Sequence, residues 1–320
     1  MTVEAPNPPP SPGATPPKSP WARVEDGVSI FLLLGMAVLP LLEIAGRRIW
    51  RTGIPGSSAL VQHATLWIGC LGGAIAARDH RLLSLGRLTG RFPEPYRRIL
   101  SAFTASVCIA VSLLLAGSGY QLVRAEWADR HYVVPFLPLW VAEAVIPAGF
   151  VLIAWRLLRH VPGGWGTRSA AGAAAAAGVA FVASGLMLGT VPFLAAAITL
   201  LVAVVLGAPL FVALGGLAVL LFRHEDVPLA SISTEIYRLV TSPTLPTIPL
   251  FAFAGYVLTV GNVSRRLVRF FRAIVGWMPG GIAVVTVLVC TFFTTFTGAS
   301  GVTIFALGGI LLPALLAERY

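Results

Sequence analysis

The sequence predicts an all-α integral membrane protein: a multi-span helical bundle with a re-entrant helical hairpin near the C-terminus. Apolar residues fill 57% of the 320 positions and charged residues only 11%, whereas a soluble domain carries about 25% charged residues. The mean hydropathy is +0.84, and uncharged apolar runs recur along the whole chain. Because so few charges cannot cover a water-exposed surface, lipid must be the solvent for much of the chain.

The formal net charge of +10 comes largely from arginines in short segments between the apolar runs. Arginines in such positions orient membrane spans and attract anionic headgroups, so membrane lipid is an expected partner. No stripe of mixed basic and aromatic residues accompanies them, and nucleic acid is therefore not an expected partner.

The cysteines and histidines show no metal-ligand or disulfide spacing. Cys70, Cys108 and Cys290 each lie inside an apolar run and are expected to pack there. The histidines are scattered: His63, His80, His131, His160 and His224. No constellation of nucleophile, base and metal ligand emerges, which predicts a protein that is not an enzyme and has no cofactor.

The N-terminal half divides into a tail and four spans. Residues 1–20 contain eight prolines and are expected to form a disordered Pro-rich tail. A four-helix membrane domain follows over 21–160. Its apolar runs cover 28–45, 58–77, 99–123 and 136–155. The six arginines between 78 and 98 favour an amphipathic cytoplasmic segment and place the N-terminus inside. The leucines expected at the interface are Leu82, Leu83, Leu85 and Leu88.

Residues 161–190 are expected to be a linker with a connecting transmembrane helix over 169–189, whose Ala and Gly residues allow close packing in lipid. The apolar stretch 192–222 is interrupted at Gly207-Ala208-Pro209, which predicts a pair of helices because proline breaks the helical ladder. A polar stretch, 223–246, and a short apolar run, 248–260, come next.

Residues 263–278 have the period of an amphipathic helix. Arg265, Arg269 and Arg272 share one face, with Arg266 at its edge. The opposite face carries Leu267, Phe270, Phe271 and Ile274. This pattern is typical of a helix that lies on the cytoplasmic membrane surface. A partner-binding helix has a similar pattern, but the flanking apolar runs favour the membrane.

Two apolar arms follow, 282–296 and 302–316. Each arm is about 22 Å long at ~1.5 Å per residue, short of a hydrocarbon core of about 30 Å, so a hairpin that dips to mid-membrane is predicted. Its tip is Thr297-Gly298-Ala299-Ser300-Gly301, and Thr303 follows. Opened helix ends there can hold a cation and an anionic substrate. Sodium is expected at Thr297, Gly298 and Ser300. A Gly/Ser/Thr helix-packing motif explains the tip equally well.

These residues resemble a known family. Ile248-Pro249-Leu250-Phe251, the basic helix and the stretch 276–315 look like the large membrane subunit of tripartite ATP-independent periplasmic (TRAP) transporters. Residues 21–160 are similar to that family's small membrane subunit. The matching positions there are Trp67, Gly72-Gly73-Ala74, Arg78, His80, Pro138-Leu139-Trp140 and Ile146-Pro147-Ala148-Gly149-Phe150.

The resemblance implies a multi-pass inner-membrane permease in which small and large subunits are fused. Residues 191–320 would be the N-terminal part of a large-permease-like transport domain. A periplasmic substrate-binding protein would deliver an organic acid, of C4-dicarboxylate or sugar-acid type, and sodium would drive an elevator movement. The family commonly has Ser-Gly-Ser where Thr297-Gly298-Ala299 stands here, so one hydroxyl is absent.

The resemblance also implies a second, inverted repeat in the large subunit. This sequence reaches only the first hairpin, which implies truncation, with the second half of the large subunit as a missing partner and no transport by the chain alone. Two other functions stay open: a carboxylate or ion transporter without a binding protein, and a non-transporting membrane scaffold. The apolar runs also hold Glu43 and Glu143, for which helix-interface hydrogen bonds are favoured over a functional role.

Overall fold

The protein is described by a computed structural model that covers residues 19–49, 51, 53–84, 92–184, 189–260, 263–278, 280–297, 307–308, 311–312 and 315–316. Most of these residues are helical, which confirms the predicted fold class. The Pro-rich tail over 1–18 and most of the hairpin tip lie outside the described residues.

The four predicted spans of the N-terminal half are present. They are α1 (Pro20–Ile49), α2 (Ser57–Arg78), α3 (Glu94–Asp129) and the pair α4 (Leu139–Glu143) and α5 (Val145–Arg159). Among the described residues, four helical segments are long and apolar enough to cross a membrane, and they are these four, with α4 and α5 counted together. A short antiparallel pair, β1 (Tyr132–Val134) and β2 (Leu137–Pro138), precedes α4.

The predicted linker helix is α6 (Trp165–Ala183), which packs along α3 through small residues. A Cβ placed on Gly178 would lie 3.5 Å from the Cβ of Ala110. Ala171 and Ala175 are buried, the latter in a cluster with Ile109 and Ala154. The close packing predicted from the Ala and Gly residues is confirmed. The crossing of the membrane by α6 stays a prediction, because this helix is not one of the four segments.

The stretch 192–222 forms the predicted helix pair, α7 (Thr190–Leu206) and α8 (Leu210–His224). Gly207 ends α7 in the left-handed region, with φ 116°, a conformation that glycine adopts without a Cβ clash. Pro209 is the N-cap of α8. The two helices then pack side by side, and a Cβ on Gly216 would meet a methyl group of Leu200 at 2.8 Å.

The polar stretch 223–246 contains a helix that the sequence analysis did not predict, α9 (Ala230–Val240). It lies against α3 and α2. Ile232 and Ser233 are buried, while Glu235 and Arg238 face outward as an ion pair. A short amphipathic helix can be recognised by such a pattern, but the prolines on both sides concealed it.

The segment after α2 packs inward at one leucine. Leu82 packs against Ala74, Ala77 and Ile153, whereas Leu83 is 71% exposed. The position of these leucines at the membrane interface stays a prediction. The carbonyl of Leu83 accepts a hydrogen bond from the Leu210 amide at 2.7 Å, and Ser84 forms an isolated bridge with Pro209. The segment therefore joins the α7–α8 turn. Residues 85–91, which include Leu85 and Leu88, lie outside the described residues.

The last helices are α10 (Thr247–Val260), α11 (Val263–Val275) and α12 (Gly281–Thr297), as predicted. One hydrophobic core joins α3, α6, α7, α8 and α9 around residues such as Leu115, Ala203 and Val212. A second, separate cluster holds α11 and α12 together around Val285 and Val289. The small-permease-like and large-permease-like parts thus share the first core.

Candidate functional site

The predicted re-entrant hairpin is the first candidate site. Its first arm, α12, has 17 residues and ends at Thr297. Leu307 and Leu311 of the second arm are buried in the same cluster as Val285 and Val289, so the chain returns alongside α12. A helix of 17 residues is about 25 Å long, less than the hydrocarbon core of about 30 Å. The length of α12 is compatible with the predicted hairpin, and the turn of the chain within the membrane stays a prediction.

The structure describes only the first residue of the hairpin tip. Thr297 is the last residue of α12, and its side chain is not described. Gly298, Ala299, Ser300, Gly301 and Thr303 lie outside the described residues. The expected sodium ligands at Thr297, Gly298 and Ser300 therefore stay predictions.

The turn between α11 and α12 fixes the basic helix against the hairpin. A Cβ on Gly276 would lie 2.2 Å from the Arg272 carbonyl oxygen, and a Cβ on Gly281 would lie 2.7 Å from that of Val275. A Cβ atom does not approach a backbone oxygen this closely without a shift of the chain, so both positions require glycine. Gly280 has a left-handed φ of 80°. The turn keeps α11 packed on α12.

The basic helix has the predicted amphipathic character, with its apolar side divided between two environments. Val268, Phe271 and Val275 pack against the hairpin cluster. Phe270 and Ile274 remain exposed. The exposed arginines on the other side are Arg266, Arg269 and Arg272, and the side chain of Arg265 is not described. A helix with exposed arginines and exposed apolar groups suits a membrane surface.

A polar cluster, which the sequence analysis did not predict, fastens α1 to α2 and α5. Arg78 binds Glu25 at 2.8 Å and Asp26 at 2.9 Å, and Arg156 binds Glu25 and the Ala74 carbonyl. The side chains of Arg78 and Glu25 are each 19% exposed. These ion pairs hold the first turns of α1 against the ends of α2 and α5. Only Arg78 was singled out from the sequence, through its match to the small subunit.

The two intramembrane glutamates differ. Glu43 accepts hydrogen bonds from Ser57 of α2 and, at 2.5 Å, from Arg47, which agrees with the favoured helix-interface role. Glu143 is 1% exposed, and its Oε2 has no hydrogen-bond partner among the described residues. The expected interface hydrogen bond of Glu143 is therefore not made by that oxygen.

The contacts of α9 with the small-permease-like part are the clearest interface that the sequence did not reveal. Ser118 of α3 donates to the Leu229 carbonyl at 2.6 Å and accepts from the Ser233 amide at 3.1 Å. The Tyr237 hydroxyl is bonded to His63 Nε2 of α2 at 2.9 Å. Single serines inside apolar runs give no pairwise signal, so only the folded arrangement brings them together.

Family models match both halves of the chain. The model described as "Tripartite ATP-independent periplasmic transporters, DctQ component" matches residues 36–166, and the DctM component of the same transporters matches residues 197–320. An isethionate TRAP transporter permease protein DctMQ of Oleidesulfovibrio alaskensis is 24% identical over 290 residues. That alignment covers 88% of this chain and 44% of the relative.

Other relatives match the C-terminal part alone. A C4-dicarboxylate TRAP transporter large permease protein DctM of Vibrio cholerae is 33% identical over 118 residues, which are 36% of this chain and 26% of the relative. An ectoine/5-hydroxyectoine TRAP transporter large permease protein of Ruegeria pomeroyi is 30% identical over 38% of this chain and 29% of the relative. The chain thus spans less than half the length of these curated relatives. Since the DctQ and DctM components follow one another in a single polypeptide, the chain belongs to the family of tripartite ATP-independent periplasmic transporters as a fusion of the small and large membrane subunits.

Proposed function

We propose that this chain is the permease component of a sodium-coupled secondary transporter in the cell inner membrane, which receives small organic acids from a periplasmic substrate-binding protein. The observation that carries the proposal is the hairpin. Leu307 and Leu311 return onto Val285 and Val289, next to a helix that ends at Thr297. Helical hairpins of this length supply substrate and ion sites at mid-membrane depth in secondary transporters.

The direction of the hairpin arms supports a site for opposite charges. The C-terminal end of α12, at Thr297, carries the negative end of the helix dipole and free carbonyl oxygens. Those groups suit a hard monovalent cation such as sodium. The amide groups at the beginning of the second arm would face an anion. The hydroxyls of Thr297, Ser300 and Thr303 add neutral oxygen ligands.

The substrate class follows from the relatives' names and from the site chemistry. The relatives are named for C4-dicarboxylates, isethionate and ectoine, and each of these molecules carries an acidic group. An acidic group is what helix N-termini bind. We therefore assign small organic acids as the class of substrate.

The two separate cores support an elevator movement. The core of α3 and α6–α9 is continuous, whereas α11 and α12 have their own cluster. A cavity of about 690 Å³ lies between the beginning of α10, at Ile248 and Pro249, and residues of α2, α5 and α8. The hairpin with α10 and α11 would be the moving part and the larger core the static one.

The test is sodium-dependent uptake by the full-length transporter, reconstituted in liposomes with its binding protein. We expect Thr297→Ala and Ser300→Ala to raise the sodium concentration for half-maximal uptake by about tenfold, the effect of losing about 1.4 kcal/mol of binding. Thr295→Ala is the matched control, because Thr295 Oγ1 is bonded to the Thr291 carbonyl at 2.9 Å within α12. Unchanged sodium dependence in both tip variants would leave the tip as a packing motif.

The same assay separates the two alternative functions. A carboxylate or ion transporter without a binding protein would accumulate substrate equally well when the binding protein is omitted. A non-transporting scaffold would show no uptake under any condition, although it would still reconstitute as a folded protein.

A further inference from the structure

A polar cavity lies at the end of the bundle that the sequence predicts to be cytoplasmic. It has a volume of about 350 Å³. Its polar side chains are His80, Ser84, Ser101, Thr104 and His160. The α7–α8 turn closes it with Leu206, Gly207 and Pro209. The cavity therefore lies where the small-permease-like part meets the first helix pair of the large-permease-like part, well away from the hairpin in sequence.

Two imidazoles meet in this cavity. The ring centroids of His80 and His160 are 4.0 Å apart, with the rings tilted by 42°. His80 has φ 55°, a left-handed conformation that is uncommon for residues other than glycine. Unusual backbone conformations of this kind are concentrated at functional sites. Both rings are exposed, so a ligand can reach them.

The charges around the cavity are positive. Partial burial, then His80, Arg156 and Arg168, lower the pKa of His160, which lies just beyond the end of α5. Asp79, which precedes His80 in the sequence, binds Arg78 at 2.8 Å. Among the described residues that line the cavity, none is acidic. Arg81 follows His80 directly, and α3 contributes Ser101 and Thr104, which are neutral.

A buried hydrogen-bond donor belongs to Arg168, one of the arginines that act on His160. The Nε of Arg168 is buried and has no hydrogen-bond partner within the part of the chain that the structure describes. Arg156, by contrast, is engaged by Glu25 and the Ala74 carbonyl. Buried donors without a partner cost free energy. Arg168 is not among the described residues that line the cavity, and its contribution there is its positive charge, which acts on His160. A metal cation is disfavoured, because two arginines would repel it.

We propose that the cavity of His80, Ser84, Ser101, Thr104 and His160 binds a phosphate-type oxyanion, supplied by a phospholipid headgroup of the inner leaflet or by free phosphate. The imidazole N–H groups and the hydroxyls donate hydrogen bonds, and Arg156 and Arg168 supply charge. Basic pockets between membrane helices on the cytoplasmic side bind anionic headgroups in this way. This inference is independent of the hairpin and of the proposed substrate.

Binding of the anion and protonation of the His160 imidazole favour one another. Without an anion, His160 is neutral near pH 7, because its pKa lies below the usual range. A bound oxyanion offsets the repulsion from His80, Arg156 and Arg168 and raises the pKa of His160 again. Affinity for the anion therefore increases as the pH falls. One linked proton gives at most about a tenfold change per pH unit.

The experiment follows the histidine signals of the purified chain in uncharged detergent by NMR while inorganic phosphate is added. We expect the His80 and His160 signals to move in a saturable way, with an affinity at pH 6.5 that is up to about tenfold higher than at pH 7.5. His224, stacked on Phe193 at 4.5 Å at the other end of the bundle, is the internal control. Its signal should not move.

The variant His160→Gln should weaken phosphate binding and remove its pH dependence, His80→Gln should weaken the binding, and His224→Gln should leave both the binding and its pH dependence unchanged. Nanodiscs distinguish a phospholipid headgroup from free phosphate as the source of the oxyanion. If the headgroup is the ligand, phosphatidic acid added to phosphatidylcholine nanodiscs competes with phosphate and co-purifies with the wild type but not with His160→Gln. If free phosphate is the ligand, phosphatidic acid has no effect.

Two results would overturn the proposal. One is the absence of any saturable movement of the wild-type His80 and His160 signals with either phosphate or phosphatidic acid. The other is tighter binding of zinc than of phosphate at the same histidines. The wild-type titration decides the matter even where a glutamine variant does not fold.

Discussion

The core block, α2–α9, and the C-terminal unit, α10–α12 with Leu307 and Leu311, both contain strongly apolar helices but are held differently. In the core block, buried residues of α3 pack against α6, α7, α8 and α9, and Ser118, Ser233, His63 and Tyr237 add hydrogen bonds between helices. In the C-terminal unit, the buried cluster is small and internal. Its principal described contact with the rest of the chain is that of α10 with α1.

The difference shows that hydrophobicity alone does not decide which membrane helices form a rigid body. Lipid tails are as apolar as leucine, so helices associate through close packing and interhelical hydrogen bonds. The core block has both, as at Gly178 beside Ala110 and Ser118 beside Ser233. Among the described residues, the C-terminal unit makes its principal contact with α1, through α10, and we infer that the unit can move as one piece.

The largest expected effect comes from tying the two regions together. After replacement of Cys70, Cys108 and Cys290 by alanine, cysteines at Val61 of α2 and Leu250 of α10, which line one cavity of about 220 Å³, should be joined by a short bifunctional maleimide. We expect the cross-link to abolish uptake by the full-length transporter, because the C-terminal unit can then no longer move past α2.

A cross-link within the core block is the control. Ser118 Oγ and Ser233 Oγ are 2.8 Å apart, so a disulfide between Ser118→Cys and Ser233→Cys joins α3 to α9 only. Uptake should persist when the Ser118–Ser233 disulfide has formed. In the Val61–Leu250 variant, reduction should restore uptake only when the cross-linker itself is cleavable. Loss of uptake with the Ser118–Ser233 disulfide would show that the block itself must deform.

The second expected effect is a loss of stability when a side chain is removed from the core block. Leu115 of α3 is 2% exposed in the core block, so Leu115→Ala should leave a cavity and lower the free energy of unfolding by about 2–5 kcal/mol. Leu214→Ala is the matched control, because Leu214 of α8 is 64% exposed. Unfolding in mixed detergent and SDS micelles measures both. Equal losses would mean that the block is packed no more tightly at Leu115 than at its lipid-facing surface.

The fold could be predicted from the sequence wherever one signal was enough. Length and apolar composition predicted α1–α3 and the α4–α5 segment, and the break at Gly207-Ala208-Pro209 predicted the α7–α8 pair. The arginine period predicted α11. In each case, the signal lies within one stretch of chain, where a helix forms its own backbone hydrogen bonds.

What could not be predicted depends on residues far apart in the sequence. Ser118 and Ser233 are separated by 115 positions, and His63 and Tyr237 by 174, and no pattern in either stretch points to the other. Leu82 packs against Ile153 of α5, a contact that the arginine-rich sequence around it did not reveal. The tip residues Gly298–Gly301 lie outside the described residues, so their geometry stays a prediction.

The third prediction tests the hydrogen bonds that dock α9. Ser118→Ala removes the donor to the Leu229 carbonyl and the acceptor for the Ser233 amide, both in a buried site. We expect a loss of about 1–3 kcal/mol in the free energy of unfolding and faster hydrogen exchange in α9. These two measurements together separate a general loss of stability from release of this helix.

Ser112→Ala is the control for that substitution, since Ser112 is also in α3 and is 0% exposed. Its hydroxyl donates to the Cys108 carbonyl at 2.7 Å, a group that the helix itself already engages. Its removal should therefore have a smaller effect and leave the exchange of α9 unchanged. If Ser112→Ala accelerates exchange in α9 as much as Ser118→Ala does, the interhelical bonds are not what holds α9.

The smallest expected effect concerns the outer face of the same helix. Arg238 donates from Nε and Nη2 to Glu235 Oε2 at 2.9 and 2.7 Å, and these two side chains are 68% and 49% exposed. Solvent screens exposed pairs of this kind, and holding two long side chains in place offsets most of the attraction. We expect Arg238→Gln to leave the unfolding midpoint and the hydrogen-exchange rate of α9 unchanged within error. The neighbouring substitution Tyr237→Phe, which removes the hydrogen bond to His63, should accelerate exchange. If Arg238→Gln releases α9 and Tyr237→Phe does not, the helix is held by its surface charges, and its buried contacts with the core block are incidental to that attachment.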